Sequence, residues 1–194
     1  MRNEDKNYGG TREKLILAGL EELNEYGLHN FSSRRVAKKC GVSSAAPYKH
    51  FKDTHAFIAE ILQYINDQYF ARQKQTLERF AEYDSRRQLL ESALDYIRFL
   101  VENPQFRRII TQNYRGSDEE FQALRGSLSV PIYRIMARYC RDVDMRSDVR
   151  RRKTFLFRSI IYGAAMSFDN GEMAYNEENM AMVSELLDRE FTLP

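Results

Sequence analysis

With 194 residues, the chain is long enough for one or two small domains with a hydrophobic core. Its 30% charged and 43% hydrophobic residues indicate a folded, soluble protein and exclude a disordered one. Residues 1–10 lack the apolar stretch of a signal peptide, and the longest nearly uncharged run (154–168) is shorter than the ~20 apolar residues of a spanning helix. We therefore expect a cytoplasmic protein without a membrane segment.

The net charge of +2 is unevenly distributed along the chain. Residues 1–52 hold ten Lys/Arg against six Asp/Glu, whereas the remainder holds 20 against 22. A basic N-terminal end favours a polyanionic partner there. The indication is weak, because a charge difference of this size is common by chance. Cys40 and Cys140 are isolated and lack metal-ligand spacing, so we expect reduced packing residues, no disulfide and no metal.

The apolar residues recur mostly at helical spacing, which predicts an all-α fold of about nine helices. Residues 1–10 are expected to form a flexible arm. Thr11 is expected to cap the first helix, whose inward face carries Ile16, Leu20 and Leu23, and Gly27 is a C-cap signal.

The next segment predicts two short helices and a long one. Ser32 and Ser33 can cap a second helix that carries Val36, Ala37 and Cys40 inward, and Gly41 ends it. Ser43 is expected to cap a third helix that ends at His50. The pair Asp53-Thr54 is expected to cap a fourth helix that continues to about Phe80.

Five further helices are predicted in the rest of the chain. Pro131 is expected to bend the third of them. The predicted ranges are 85–102, 105–114, 118–140, 147–168 and 177–191.

The strongest pattern in the chain is that of a helix-turn-helix at residues 31–51. Two short helices must cross with three or four residues between them, and Ala37 permits the close approach while Gly41 permits the turn. Val36, Cys40 and Val42 supply an apolar seal. Residues 11–62 resemble the TetR family of bacterial regulators, from the Ile16/Leu23/Gly27 helix to the Tyr48-x-His50-Phe51 ending.

The resemblance implies a role for individual residues in binding double-stranded DNA. Ser33 and Arg34 would touch a phosphate and a base edge, and Tyr48 and His50 would contact phosphates. The remaining predicted DNA contacts are Ser43 at the start of the recognition helix, Ser44, Ala45 and Lys49 at the bases, and Thr54 at a phosphate. These side chains suit such roles chemically. Phe51 is expected in the core.

This segment departs from the family's pattern at two places and leaves one question open. The family often has Lys at the start of the fourth helix, where this chain has Thr54, and Pro47 removes a backbone bond to the Ser43 carbonyl. The side chains of Arg35, Lys38 and Lys39 could equally face DNA or solvent.

The run 154–168 carries apolar residues on every helix face, which indicates a helix that is covered all round. Small residues at Ser159, Gly163 and Ser167 would let a partner helix approach closely. The resemblance likewise implies a homodimer formed by the last two helices, and the alternative is a central core helix of a monomer. Two subunits would present their recognition helices about one DNA turn (~34 Å) apart to a palindromic operator.

An effector pocket is implied among the fifth to eighth helices. Arg158 is the only charged residue of the run 154–168, and a charge on a covered helix needs a partner. That partner could be Asp95 or Glu91, or an anionic group of an effector. The candidate ligand-binding residues are Tyr96, Asn113, Tyr114, Tyr133, Arg158 and Tyr162, although ordinary packing is the better interpretation for any single one of the aromatics and amides.

The leading hypothesis is therefore a transcriptional repressor that a small-molecule effector releases from its operator. Its predicted parts are a helix-turn-helix domain at 11–53 and an effector-binding and dimerisation domain at 54–194. The resemblance implies a bacterial, nucleoid-associated protein without a cofactor. One alternative is an architectural or cell-division factor of the same fold without an effector. A helical enzyme is the other, but no phosphate loop or catalytic constellation supports it.

Overall fold

Helical periodicity in the sequence corresponds to helices in the computed structural model, which describes residues 10–111 and 119–192. Those residues form nine α-helices and no β-strand, so the all-α prediction is confirmed. No helix in the described ranges is long and apolar enough to cross a bilayer. The helices are α1 (Thr11–Tyr26), α2 (Ser33–Lys39), α3 (Thr54–Arg79), α4 (Ser85–Glu102), α5 (Pro104–Thr111), α6 (Glu119–Ser127), α7 (Val130–Asp142), α8 (Ser147–Asp169) and α9 (Glu177–Thr192).

The chain divides into two compact units. The first comprises the described residues of Met1–Asp67 and Arg108–Arg125, and the second comprises those of Gln68–Arg107 and Gly126–Pro194. The functional boundary that we predicted after residue 53 stays a prediction. Most of the predicted arm lies outside the described residues, as do Asn113 and Tyr114.

In the first unit, α1 packs against α2, and the N-terminal half of α3 completes the core. Gly19 permits the close approach of α1 and α3, because a Cβ at this position would lie 2.6 Å from Ile61 Cδ1 and 3.2 Å from the Phe57 ring. The Phe51 ring stacks on Phe57 at 4.1 Å, which confirms its predicted core position. The apolar face predicted for α1 is likewise buried.

The backbone signals at the helix ends are mostly confirmed. The Arg35 amide donates to Ser32 Oγ at the start of α2, and the Ala56 amide donates to Asp53 Oδ1 at the start of α3. The predicted cap at Thr11 is wrong, because α1 begins at that residue behind Gly10 and has no side-chain cap.

The predicted third helix (43–50) is instead a series of turns that ends in one 3₁₀ turn at Pro47–Lys49. Pro47 has no N–H to donate to the Ser43 carbonyl, so that carbonyl accepts from the Ala46 amide (2.9 Å), three residues along. The Lys49 amide repeats the pattern by donating to the Ala46 carbonyl (3.1 Å). The proline therefore converts the expected α-helix into a tighter chain of turns.

The predicted seventh helix is two helices, α6 and α7, rather than one bent helix. Leu128 and Ser129 form a turn, in which the Ser129 amide donates to the Gly126 carbonyl (3.2 Å). Pro131 lies in the first turn of α7, where a missing N–H costs nothing. The proline therefore starts a helix here instead of kinking one.

In the second unit, α4 packs against α7, α8 and α9, and α8 packs against α9. The core between them is built from large apolar side chains, including Leu89, Ile97, Phe157 and Leu187. Cys140 is a buried free thiol in this unit, and Cys40 is a partly buried free thiol in the first.

Candidate nucleic-acid interface and effector region

The turn after α2 is fixed by a hydrogen-bond pattern that requires glycine. Gly41 adopts φ +67°, a left-handed conformation that Cβ-bearing residues rarely adopt. Its amide donates to the Lys38 carbonyl (3.1 Å), while the Val42 amide donates to the Ala37 carbonyl (3.0 Å). This pair of bonds forms a Schellman motif, which ends α2 and sets the direction of the chain into 43–50.

Segment 43–50 presents most of its side chains to solvent. Only Pro47 is buried there, and Tyr48 remains 53% exposed although tyrosine is usually well covered. Of the nine predicted DNA contacts, seven have exposed side chains: Arg34, Ser43, Ser44, Ala45, Tyr48, Lys49 and His50. The segment is therefore open to a partner, as a recognition element must be.

The other two predicted contacts lie against each other. Ser33 is only 5% exposed, and its Oγ is 3.3 Å from Thr54 Oγ1, so this hydrogen bond joins the start of α2 to the start of α3. Thr54 is half-buried. The roles of both residues at phosphates stay predictions.

The structure separates the cations of the interface into two groups. Arg35 pairs with Glu22, and Lys39 pairs with Glu21, so two of the three residues left open by the sequence are tied to α1. Within the described parts of the chain, Arg34, Lys38, Lys49 and Lys52 have exposed side chains without an acidic partner. These four cations are free to meet phosphates or base edges.

Sequence reasoning missed a network centred on Glu22, a buried carboxylate of α1. Glu22 Oε1 accepts hydrogen bonds from Arg35 Nε (2.8 Å) and from the Ser32 amide (3.0 Å). The hydrogen bond to Glu22 raises the pKa of the Arg35 guanidinium, which also stacks 4.1 Å above the Tyr26 ring. The available signal was an acidic residue between the apolar residues Leu20 and Leu23 of the inward face. Arg35 therefore braces α2 against α1.

Arg35→Ala is expected to lower the melting temperature without changing the salt dependence of DNA binding. The substitution leaves the Glu22 carboxylate buried with only the Ser32 amide as a donor. A phosphate contact would instead reduce the salt slope by about one unit. Thermal unfolding and a salt titration of DNA binding measure both effects.

Lys39→Ala is the matched control, because the Lys39–Glu21 pair is solvent-exposed at both ends and contributes little to stability. An unchanged melting temperature for Arg35→Ala together with a reduced salt slope would show that Arg35 contacts DNA.

Four of the predicted effector residues lie close together in the second unit. Tyr96 is buried, and its hydroxyl lies 3.3 Å from that of Tyr162. Burial raises the pKa of the Tyr96 phenol well above its usual value. The exposed Arg158 guanidinium lies 5.9 Å from the centre of the Tyr133 ring. Their role in ligand binding stays a prediction.

Of the partners that the sequence left open for Arg158, the two carboxylates of α4 are paired with other residues in the structure. Asp95 accepts from Arg72 Nε at 2.6 Å, and Glu91 pairs with Arg87 at 2.5 Å, one helical turn away. No acidic partner of Arg158 lies among the described residues, and its side chain needs none because it is in solvent rather than on a covered face.

The N-terminal domain matches a known family. Residues 15–61 match the sequence model of the bacterial regulatory proteins of the tetR family. An HTH-type transcriptional regulator of Staphylococcus aureus strain USA300 is 30% identical over 94 residues, which are 48% of this chain and 49% of that protein. The class C tetracycline repressor protein of Escherichia coli is 40% identical over 58 residues, which are 28% of this chain and 26% of that protein. The chain spans about half the length of the first of these curated relatives.

The fold as a whole also matches solved structures. A TetR family transcription regulator from Marinobacter aquaeolei VT8 superposes with a TM-score of 0.71 at 19% identity, over 92% of this chain and 94% of that one. This similarity concerns the fold, which α4–α9 share without close sequence likeness. Residues 15–61 are therefore similar in sequence to the tetR family of bacterial regulatory proteins, and the chain shares the helical fold of a solved TetR family transcription regulator.

Proposed function

We propose that the protein is a homodimeric repressor of the bacterial cytoplasm and nucleoid, which binds a palindromic operator and is released from it by a small-molecule effector. The observation that carries this proposal is the exposed segment 43–50, which contains Lys49 and is flanked by Arg34 and Lys52; among the described residues none of these three exposed cations has an acidic partner. A segment held by a Schellman turn and a proline is rigid enough to read base edges, and one copy makes few contacts. High affinity therefore requires a second copy.

The proposed dimer interface is the outer face of α8 and α9. Phe155 is 70% exposed on α8 and Met166 is 53% exposed, and α9 adds Met182 and Leu186 to the exposed apolar surface. Ser159 donates to the Phe155 carbonyl (2.9 Å) along its own helix, so its hydroxyl needs no external partner. An exposed apolar surface of this kind favours burial against a second subunit over the alternative of a monomer with α8 at its core.

Gly163 gives this face room for a close helix pair. Nothing lies within 4 Å of the position that a Cβ would occupy, and the residue is exposed on α8 between Ser159 and Ser167. Glycine inside an exposed helix costs about 1 kcal/mol relative to alanine. Close contact with a partner helix would offset that cost.

We propose that each predicted domain has its own function. Residues 11–53 bind DNA, and residues 54–194 bind the effector and the second subunit. The helix α3 is continuous from Thr54 to Arg79. We expect α3 to take different positions in dimers that bind DNA and in dimers that do not. A ligand that binds more tightly to one of these two conformations would shift the population toward it, by an amount that the ratio of its two affinities sets. The repressor role is supported by the 40% identity over 58 residues to a protein named as a repressor.

Mapping of the bound DNA across the genome, followed by a footprint of the strongest site, tests this function. We expect a palindrome with half-sites about 10 base pairs apart or a multiple of that spacing, overlapping a promoter. Numerous dispersed sites without a promoter preference would support the alternative of an architectural or cell-division factor. A bound sequence without two-fold symmetry would contradict the proposed dimeric reading.

A further inference from the structure

An open cavity of about 650 Å³ lies within the second unit, beside the C-terminal half of α3 and the start of α7. Its walls are mainly apolar and include Phe70, Leu77, Val130 and Pro131. A volume in this range suits a drug-sized organic molecule. None of the effector residues predicted from the sequence lines it.

Gln73 supplies a polar group without a partner at this wall. The side chain is 1% exposed, and its Oε1 accepts a hydrogen bond from the Tyr69 hydroxyl. The Nε2 group is buried and makes no hydrogen bond. An unsatisfied buried donor of this kind destabilises the folded state, so its presence in a native structure calls for an explanation.

A ligand can satisfy this donor with little rearrangement. Tyr69 holds the oxygen of the carboxamide, which leaves the amide N–H groups as the free end. The last torsion of a glutamine side chain is soft, so a small rotation turns Nε2 toward an acceptor in the cavity. The matching group on the ligand is an oxygen that accepts without donating.

The charges around the cavity favour a neutral acceptor over an anionic one. Lys74 is exposed, and its Nζ lies 3.7 Å from Glu78 Oε1, so the Glu78 carboxylate and the solvent largely compensate its charge. Arg134 is exposed as well. None of these cations is buried with Gln73, and a carboxylate beside Gln73 would lose its hydration without gaining a paired charge.

We propose that this cavity binds a neutral, mainly apolar molecule whose carbonyl oxygen accepts a hydrogen bond from Gln73 Nε2. In the regulator proposed above this molecule is the class of effector, so the biological role rests on that proposal. The proposal that the cavity binds such a molecule does not rest on the proposed function, because binding is measured on the free protein without DNA.

The test compares two probes of nearly the same shape. Benzophenone has a carbonyl group between its two phenyl rings, and diphenylmethane has a methylene group in its place. Isothermal titration of the full chain is expected to show about tenfold tighter binding of benzophenone, the effect of one net hydrogen bond. Gln73→Met keeps the length of the side chain and removes the donor, so it is expected to abolish this preference. Gln75→Leu, at an exposed position outside the lining, is the matched control and should retain it.

The comparison of the two probes on the unaltered protein stands even if Gln73→Met fails to fold. Equal affinities for the two probes, no binding of either, or a preference that survives in folded Gln73→Met would overturn the proposal. Tighter binding of 4-benzoylbenzoate than of benzophenone would overturn it as well, because the site would then select an anion. If benzophenone binds as expected but the footprint shows no operator, the proposed function fails and the site stands.

Discussion

Gly163→Arg is expected to convert the proposed dimer into a folded monomer that does not bind the proposed operator. In the single chain nothing lies within 4 Å of the added Cβ, so the subunit has room for the new side chain. Between two closely packed helices the same side chain would force the subunits apart and bury a charge without a partner. The dimer dissociation constant should rise by at least about a hundredfold, or ~3 kcal/mol, as measured by sedimentation.

Gly126→Arg is the control for this experiment, since Gly126 is exposed near the end of α6 and its Cβ position is also open. It should leave both the dimer and DNA binding unchanged. A Gly163→Arg protein that remains dimeric would move the interface away from α8.

Arg34→Ala and Lys49→Ala are each expected to abolish specific binding while leaving the dimer folded. Both side chains are exposed, and neither has an acidic partner among the described residues, so their removal costs the fold little. A contact to a base edge contributes about 1–3 kcal/mol, and a symmetric operator contains each contact twice. Mobility shifts with the mapped operator and with a scrambled sequence measure the loss of discrimination.

Arg146→Ala removes the same charge from a side chain that is 81% exposed in the second unit, and it should bind the operator normally. If either Arg34→Ala or Lys49→Ala retained the affinity and discrimination of the unaltered protein, the assignment of that residue as a contact would be wrong.

Helix positions were largely predictable because their signals are local. The caps at Ser32 and Asp53 and the glycine at 41 act over three or four residues, and the structure shows each where the sequence predicts it. The segment 43–50 was mistaken for a helix although the effect of Pro47 on the Ser43 carbonyl was visible. With only eight residues, the segment could not regain the lost helical bond elsewhere.

The pairs that link separate helices were not predictable from spacing. Periodicity says which face of a helix is buried, but not which residue of a neighbouring helix lies opposite. The sequence therefore left Arg35 open between DNA and solvent, although its side chain bonds to Glu22, thirteen positions away. The cavity at Gln73 was missed for the same reason, since its walls come from two separate segments of the chain, 70–81 and 127–134.

The mass of the free protein in solution tests the central proposal most directly, because only a pair of subunits would present two copies of the exposed segment to a palindrome. Sedimentation equilibrium at micromolar concentration should give twice the 22.9 kDa mass of the chain. The same measurement with the mapped operator should show two chains on each DNA duplex. A species of 22.9 kDa that binds the operator one chain at a time with full affinity would contradict the account.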